Sequence, residues 1–315
     1  MKSKERQAFA AEVKEGLSKK QTQLSSKWLY DERGDKLFVE IMNMPEYYLT
    51  NCEFEILSKQ TKSIINALDV DDKEFDLYEL GAGDGTKTIE LLKGLGNHRF
   101  TYRPIDISKH AIDSLERRVR VVLPKINVEG LKGEYFKVLN SLSYDKPKVI
   151  LFLGSNIGNF SDDVAKSFLQ QLSSVMRSGD KLLLGFDLKK SKEIVLPAYN
   201  DAQGFTAAFN LNLLDRINEE LGGSFNVDEF EHDPIYDEEK GWAMSYLKSL
   251  REQEVHIDYL KETFHFEKGE RIYMEVSRKY DPETIQAITE NTQLKLHSEF
   301  FDRRKYYCDA VFERI

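Results

Sequence analysis

The run KVILFLG (148–154) constrains this chain more than any other stretch. After its first lysine it carries only apolar residues and a closing glycine. A strand with one wet face alternates apolar and polar residues, so an unbroken run suits a strand covered on both faces. A second such run, DKLLLGFDL (180–188), comes after DDVAKSFLQQLSSVM, in which Val164, Phe168, Leu169, Leu172 and Val175 recur at helical spacing. Upstream, FDLYEL (75–80) and RFTYRPIDI (99–107) read as strands. The helical segments TIELLKGL and SKHAIDSLERRVRVVL follow them, the second with Ser108 as its N-cap. This alternation predicts an α/β chain with a parallel sheet wrapped by helices. Ligands in such sheets sit at the carboxyl ends of the strands. Residues 81–85, Asp106, residues 154–159 and Asp187 are therefore expected near one another.

The flanks differ. Residues 1–51 read as a helix and then an aromatic loop, KWLYDERGDKLFVEIMNMPEYYLT. Residues 190–280 hold a long helix, TAAFNLNLLDRINEELGG, closed by glycines, and then the strand-like stretches WAMSYLKSLR, EVHIDYL and RIYMEVSRKY. These two flanks are expected to form a second, discontinuous module, 1–51 plus 190–280, packed over the ligand edge of a core made of 52–189 plus 281–315. The last stretch, YYCDAVFERI, is expected to return to the sheet as a strand. The 315 residues suffice for two such domains.

Composition excludes several function classes. A net charge of -9 makes nucleic acid a poor partner. No apolar run approaches the roughly 18 residues a membrane span needs, and the N-terminus lacks the apolar core of a secretory signal. Cys52 and Cys308 form no CxxC pair, and six scattered histidines give no ligand spacing, so no metal site is expected. Together these features point to a cytoplasmic setting.

The loop after the first strand reads YELGAGDGTKT (78–88). Gly81, Gly83 and Gly85 stand at every second position, which lets the backbone turn sharply and approach a ligand. The spacing is not the G-x-G-x-x-G of dinucleotide sites, and GxxxxGK[ST] is absent. A loop of this kind after an acidic strand end is the usual mark of S-adenosylmethionine enzymes, and Asp106, ending the next strand, can accept from ribose hydroxyls.

At this point the chain resembles the L-histidine Nα-methyltransferases of ergothioneine biosynthesis, over nearly its whole length. The segments KWLYDERGDKLF, MPEYY, ELGAGDGTKT, RPIDIS, LFLGSNIGN, LLLGFDL, AYNDAQGFTAAFNLNLLDRINEELG, FEHDPIYD and MEVSRKY carry the resemblance. It implies a Rossmann-like class I methyltransferase core with a separate substrate-binding domain. It implies S-adenosylmethionine as cofactor, and trimethylation of the α-amine of L-histidine to hercynine. On matching positions it implies Gly81, Gly83, Lys87, Asp106 and Gly154 as cofactor contacts, with Glu134 and Tyr135 where the family has an Asp-Phe pair facing the adenine. Tyr47, Asn159 and Tyr199 match residues holding the amino acid, and Glu275 and Ser277 match the pair recognising the imidazole. Tyr30 matches a pocket tyrosine, and it stands with Asn159 as a catalytic candidate. The chain departs from the family at Leu49-Thr50-Asn51, at Ser245 where a pocket methionine is expected, and in its tail, SEFFDRRKYYCD.

The chemistry fits this residue set. Methyl transfer to an amine is an in-line displacement, and positioning contributes up to ~7–11 kcal/mol in favourable cases. It requires no Ser-His-Asp set and no metal. A ring N–H needs an acceptor, and a charged one such as Glu275 is stronger than a neutral one. Glu275 and Ser277, two apart in a strand, face one side. Tyr30, Tyr47 and Tyr48 offer aromatic faces for a methylated ammonium, each contact being worth roughly 0.5–2 kcal/mol. For loss of the amine proton, a tyrosine, a water or simple equilibration all serve. Methylation of another aromatic amine, such as a tryptophan derivative, is the alternative reaction. A binding protein that holds cofactor and amino acid without turnover is the alternative class.

Overall fold

The computed structural model describes residues 3–70, 73–83, 85–141 and 145–315. They group into two compact units, one of residues 1–48 and 190–277, the other of 49–189 and 278–315.

The second unit is built on an eight-stranded sheet. Its order is Leu294–Phe301, Tyr307–Arg314, Lys181–Asp187, Lys148–Phe152, Glu74–Leu80, Arg99–Asp106 and Asn127–Val128, with Leu131–Lys132 also paired to Arg99–Asp106. The strands from Lys181–Asp187 onward run parallel, and Tyr307–Arg314 inserts antiparallel beside them. The two apolar runs occupy the centre: all five residues of Lys148–Phe152 and all seven of Lys181–Asp187 are buried. Helices Thr88–Gly94, Lys109–Val122 and Asp162–Ser174 follow successive strands. Ser108 caps the second of these, accepting from the Ala111 amide at 3.2 Å.

Chain order reverses beside Glu74–Leu80. That strand pairs with its successor Arg99–Asp106 on one side and with Lys148–Phe152 on the other. The crevice at a reversal of this kind lies at the carboxyl ends of the two strands, where Gly81 and Gly154 stand.

The first unit joins helices Ser3–Leu17, Glu32–Asn43 and Phe205–Leu221 to a four-stranded sheet of Phe230–His232, Ile235–Asp237, Trp242–Ser249 and Arg271–Arg278. A hairpin of Gln253–Ile257 and Glu262–Phe266 lies outside that sheet. The long helix ends at Gly222, whose φ of 67° is the left-handed cap that glycine adopts without strain. Its apolar face, including Phe209, Leu213, Leu214 and Ile217, packs with Phe9, Val13, Leu29 and Met274.

The segment expected as an aromatic loop is instead helical: a 3-10 turn Ser26–Leu29, the helix Glu32–Asn43, and a third helix, Tyr48–Lys59. Asp31 starts the middle helix by accepting from the Gly34 amide at 2.7 Å. Gly34 breaks the periodicity in the sequence because a side chain has no room there: a Cβ would collide with the Leu29 carbonyl. The strand Leu294–Phe301 also goes unforeseen. It is the sheet's edge and buries only Leu294 and Phe300, so its apolar signal is diluted by Lys295, His297 and Glu299.

Candidate functional site

In the second unit, the loop after Glu74–Leu80 is held in a left-handed backbone. Gly81, Gly83 and Gly85 have φ of 69°, 56° and 69°, and Asp84 lies outside the described residues. The Gly81 amide donates to the Ile105 carbonyl at 3.1 Å. A Cβ at Gly81 would stand 2.7 Å from the Tyr135 hydroxyl and 3.6 Å from the Asn156 amide nitrogen. At Gly83 a Cβ would meet nothing within 4 Å, so that backbone faces open space.

Across the crevice Gly154 ends the central run with φ of 74°, and a Cβ there would stand 3.6 Å from Lys87 Nζ and from Asn156 Nδ2. Gly81, Lys87, Tyr135, Gly154 and Asn156 thus share one cradle, shaped by the absence of two side chains.

Asp106 closes its strand and accepts the Ser108 amide at 2.8 Å. Burial raises its pKa, while the Ser108 and Ile107 amides pull the other way. The Tyr135 hydroxyl is pushed up to about 12, first by burial and then by the charges of Asp106 and Glu79. Its ring stands edge-on to Phe152 at 6.3 Å. Glu134 lies on the surface and pairs with Lys137 at 2.8 Å. Asn159 is exposed at the end of the 3-10 turn Asn156–Asn159. Asp187, expected beside the cradle, is wholly buried and bound to Lys279 at 2.7 Å.

In the first unit, Glu275 and Ser277 lie half-buried on Arg271–Arg278, while Ile272 and Met274 of the same strand are buried in the core. The Tyr199 hydroxyl donates to Ser277 Oγ at 2.8 Å. The Tyr199 carbonyl lies 2.8 Å from His232 Nε2. Tyr199 is therefore fixed at both its backbone and its ring tip. Burial lowers the His232 pKa, against the pull of the Tyr199 carbonyl and of Asp201 and Asp233. Tyr47 packs half-buried on the apolar core. Tyr30 is 44% exposed, with its ring edge-on to Phe38 and Phe209, each at 5.5 Å. The ring of Tyr48 carries the Lys190 ammonium 4.5 Å from its centre, so a cation already occupies that aromatic face.

A family model described as "Histidine-specific methyltransferase, SAM-dependent" matches residues 9–314. The chain belongs to this family. It is 34% identical over 283 residues to the histidine N-alpha-methyltransferase of Mycolicibacterium smegmatis, covering 89% of this chain and 87% of that one. It is 32% identical to ergothioneine biosynthesis protein 1 of Schizosaccharomyces pombe, covering 90% of this chain and 38% of that longer protein. It is 30% identical to the L-tryptophan methyltransferase of Psilocybe serbica, covering 90% of this chain and 86% of that one.

As a member of this family the chain is an S-adenosylmethionine-dependent methyltransferase. The cradle fits the cofactor. Gly81 leaves backbone bare where a Cβ would stand 2.7 Å from the Tyr135 hydroxyl, Gly154 takes a left-handed backbone, and the Lys87 ammonium stands beside it.

The motifs did not point to Glu53, Tyr307 or Asp309. Glu53 Oε1 accepts from the Gly154 amide at 2.7 Å and from the Tyr307 hydroxyl at 2.8 Å, and Glu53 Oε2 pairs with Lys87 Nζ. One signal was present. Gly185 interrupts the apolar run LLLGFDL, and glycine inside a buried strand marks a close approach. A Cβ there would stand 2.6 Å from Glu53 Oε1.

Proposed function

We propose that this methyltransferase transfers methyl groups to the α-amine of L-histidine and carries the amine to the trimethylated betaine, hercynine. The observation that carries the reading is the Glu275–Ser277 pair, two acceptors on one strand face with Ser277 tied to Tyr199, within a histidine-specific family. The M. smegmatis and S. pombe relatives, named for histidine Nα-methylation and for ergothioneine biosynthesis, support the same substrate.

Bound S-adenosylmethionine supplies a methyl group already activated on a sulfonium, so the chain's task is binding and orientation. Gly81, Gly83 and Gly154 offer bare backbone to the cofactor, Lys87 a cation, Asp106 an acceptor for ribose hydroxyls, and Glu134 and Tyr135 the adenine side. Glu275 accepts from an imidazole N–H, and Ser277, whose Oγ already accepts from Tyr199, can donate to the other ring nitrogen. In the first unit Tyr47 and Tyr199 are assigned to the amino-acid end, and Tyr30 supplies an aromatic ring of the kind that suits a growing ammonium. In the second unit Asn159 is assigned a side-chain amide role at the end of its 3-10 turn. Two buried free thiols, Cys52 and Cys308, support a reducing, cytoplasmic setting.

Incubation with S-adenosylmethionine and L-histidine, followed by mass spectrometry, tests the proposal. Successive gains of one, two and three methyl groups are expected, and no gain on histidine would overturn it. The P. serbica relative supports a second reading, methylation of tryptophan or a related amine. Methylation of tryptophan in preference to histidine in the same assay would establish that reading instead.

A further inference from the structure

Behind the cofactor cradle lies a knot of charge that the transfer chemistry does not call for. Glu53, on the helix Tyr48–Lys59, and Asp309, on the strand Tyr307–Arg314, are both wholly buried, and they lie against each other. Glu53 is well supplied with donors: the Gly154 amide, the Tyr307 hydroxyl and the Lys87 ammonium. Asp309 has none, since no donor among the described residues reaches either of its carboxyl oxygens. Two adjacent buried carboxylates with one lysine, paired to Glu53, cannot both hold charge at an acceptable cost. A proton on Asp309 resolves this. It makes Asp309 a donor to Glu53, removes the second charge, and leaves Lys87 and Glu53 as a neutral pair. Burial and the Glu53 charge both push Asp309 toward that protonated form.

The partners of Glu53 are the parts of the cradle that need holding. Gly154 is in the left-handed region and its amide is fixed by Glu53 Oε1. The Lys87 ammonium, gripped by Glu53, stands beside the Gly154 backbone, 3.6 Å from where a Cβ would sit. Gly185, paired with Asp309 across the strands, leaves the space the Glu53 carboxylate fills. A doubly charged acid pair would repel the carboxylate of the cofactor's amino-acid end. A singly charged one balances Lys87, so the ammonium is aimed with no net negative charge set against the ligand.

We propose that Glu53 is a positioning residue for the cofactor's amino-acid end: its carboxylate, accepting one proton-bearing contact from Asp309, fixes Lys87 and the Gly154 amide in the cradle. Glu53 itself touches neither methyl donor nor acceptor, and the assignment holds whichever amine is methylated.

The test separates this role from mere support of the fold by using two ligands. S-adenosylhomocysteine carries the amino-acid end and methylthioadenosine lacks it. In calorimetric titrations of the full chain, Glu53→Gln is expected to weaken S-adenosylhomocysteine roughly tenfold or more, as loss of a charged hydrogen-bond acceptor does. It is expected to leave methylthioadenosine within about twofold. Asp309→Asn, whose amide donates as the protonated acid does, is expected to bind both ligands as the unmodified chain does. Equal weakening of both ligands by Glu53→Gln, or no weakening of either, would overturn the proposal, as would Asp309→Asn behaving like Glu53→Gln. If Glu53→Gln does not fold, infrared difference spectra of the unmodified chain and Asp309→Asn decide. A protonated-carboxyl band at neutral pH that vanishes in Asp309→Asn supports the shared proton, and its absence refutes it.

Discussion

The two units handle a functional acid in opposite ways. In one, Glu53 is removed from water altogether and saturated by an amide, a phenol and an ammonium. In the other, Glu275 stays half-buried on a strand face. The difference follows from what each must do. A group that aims a fixed neighbour gains from permanent partners in a dry setting, where hydrogen bonds are strongest. A group that selects a substrate must sit where the ligand can reach it, and discrimination comes from the polar groups that the wrong ligand fails to pair.

The largest effect that would break this comparison concerns Glu275. Glu275→Ala should lower kcat/KM for histidine roughly 100-fold, the order expected when a charged acceptor is lost from a polar site. Affinity for S-adenosylhomocysteine should stay unchanged. Steady-state kinetics paired with calorimetry check both halves, and a fall in cofactor affinity would show that the acids do not divide the work this way.

The next effect belongs to the dry unit. Glu79 is buried on the strand Glu74–Leu80 that leads into the cradle, accepting from Thr88 at 2.5 Å and from the Tyr102 hydroxyl. Burial lifts its pKa from 4.5 to about 7, against the pull of those two donors. A raised carboxyl pKa means the folded chain holds the proton more tightly than the unfolded one. Its contribution is fully present below about pH 4.5 and is lost as pH rises through about 7. The loss across that window is roughly 3 kcal/mol. Denaturant titrations of Glu79→Gln at several pH values should show that limb flattened.

A smaller effect sharpens the picture of the cradle. Gly81→Ala places a Cβ in the left-handed region, which costs ~1–2 kcal/mol, and sets it 2.7 Å from the Tyr135 hydroxyl. Thermal midpoint and S-adenosylhomocysteine affinity should both fall, the latter by about tenfold, because the intruding atom sits on the ligand side. The smallest effect returns to the substrate unit. Tyr199→Phe removes the hydrogen bond to Ser277, worth about 1 kcal/mol for a neutral pair. A severalfold rise in KM for histidine, with kcat nearly held, is the expected result from initial-rate measurements.

Much of this was legible in the residues. KVILFLG and LLLGFDL announced central strands because burial on both faces leaves no polar positions to blur the run. The glycine loop announced a cradle because only glycine takes that backbone cheaply. Ser108 announced a helix start, and strand periodicity put 275 and 277 on one face, while their choice as an acceptor pair came from the resemblance. The helices of 26–59 were hidden by Gly34 and by aromatic residues that serve packing, and the edge strand Leu294–Phe301 by its few buried positions.

The sequence by itself determined the doubly covered sheet and the loop that ends its first strand, because each is written in contiguous residues that answer a local physical demand, and its motifs carried the resemblance to the family. Only the tertiary structure decided that Glu53, 34 residues ahead of Lys87 along the chain, grips it, and that Asp309 lies against the same carboxylate. Such a knot is assembled by three elements folding onto one point. No local pattern records it, since an isolated glutamate or aspartate in sequence looks the same whether it ends in water or in the core.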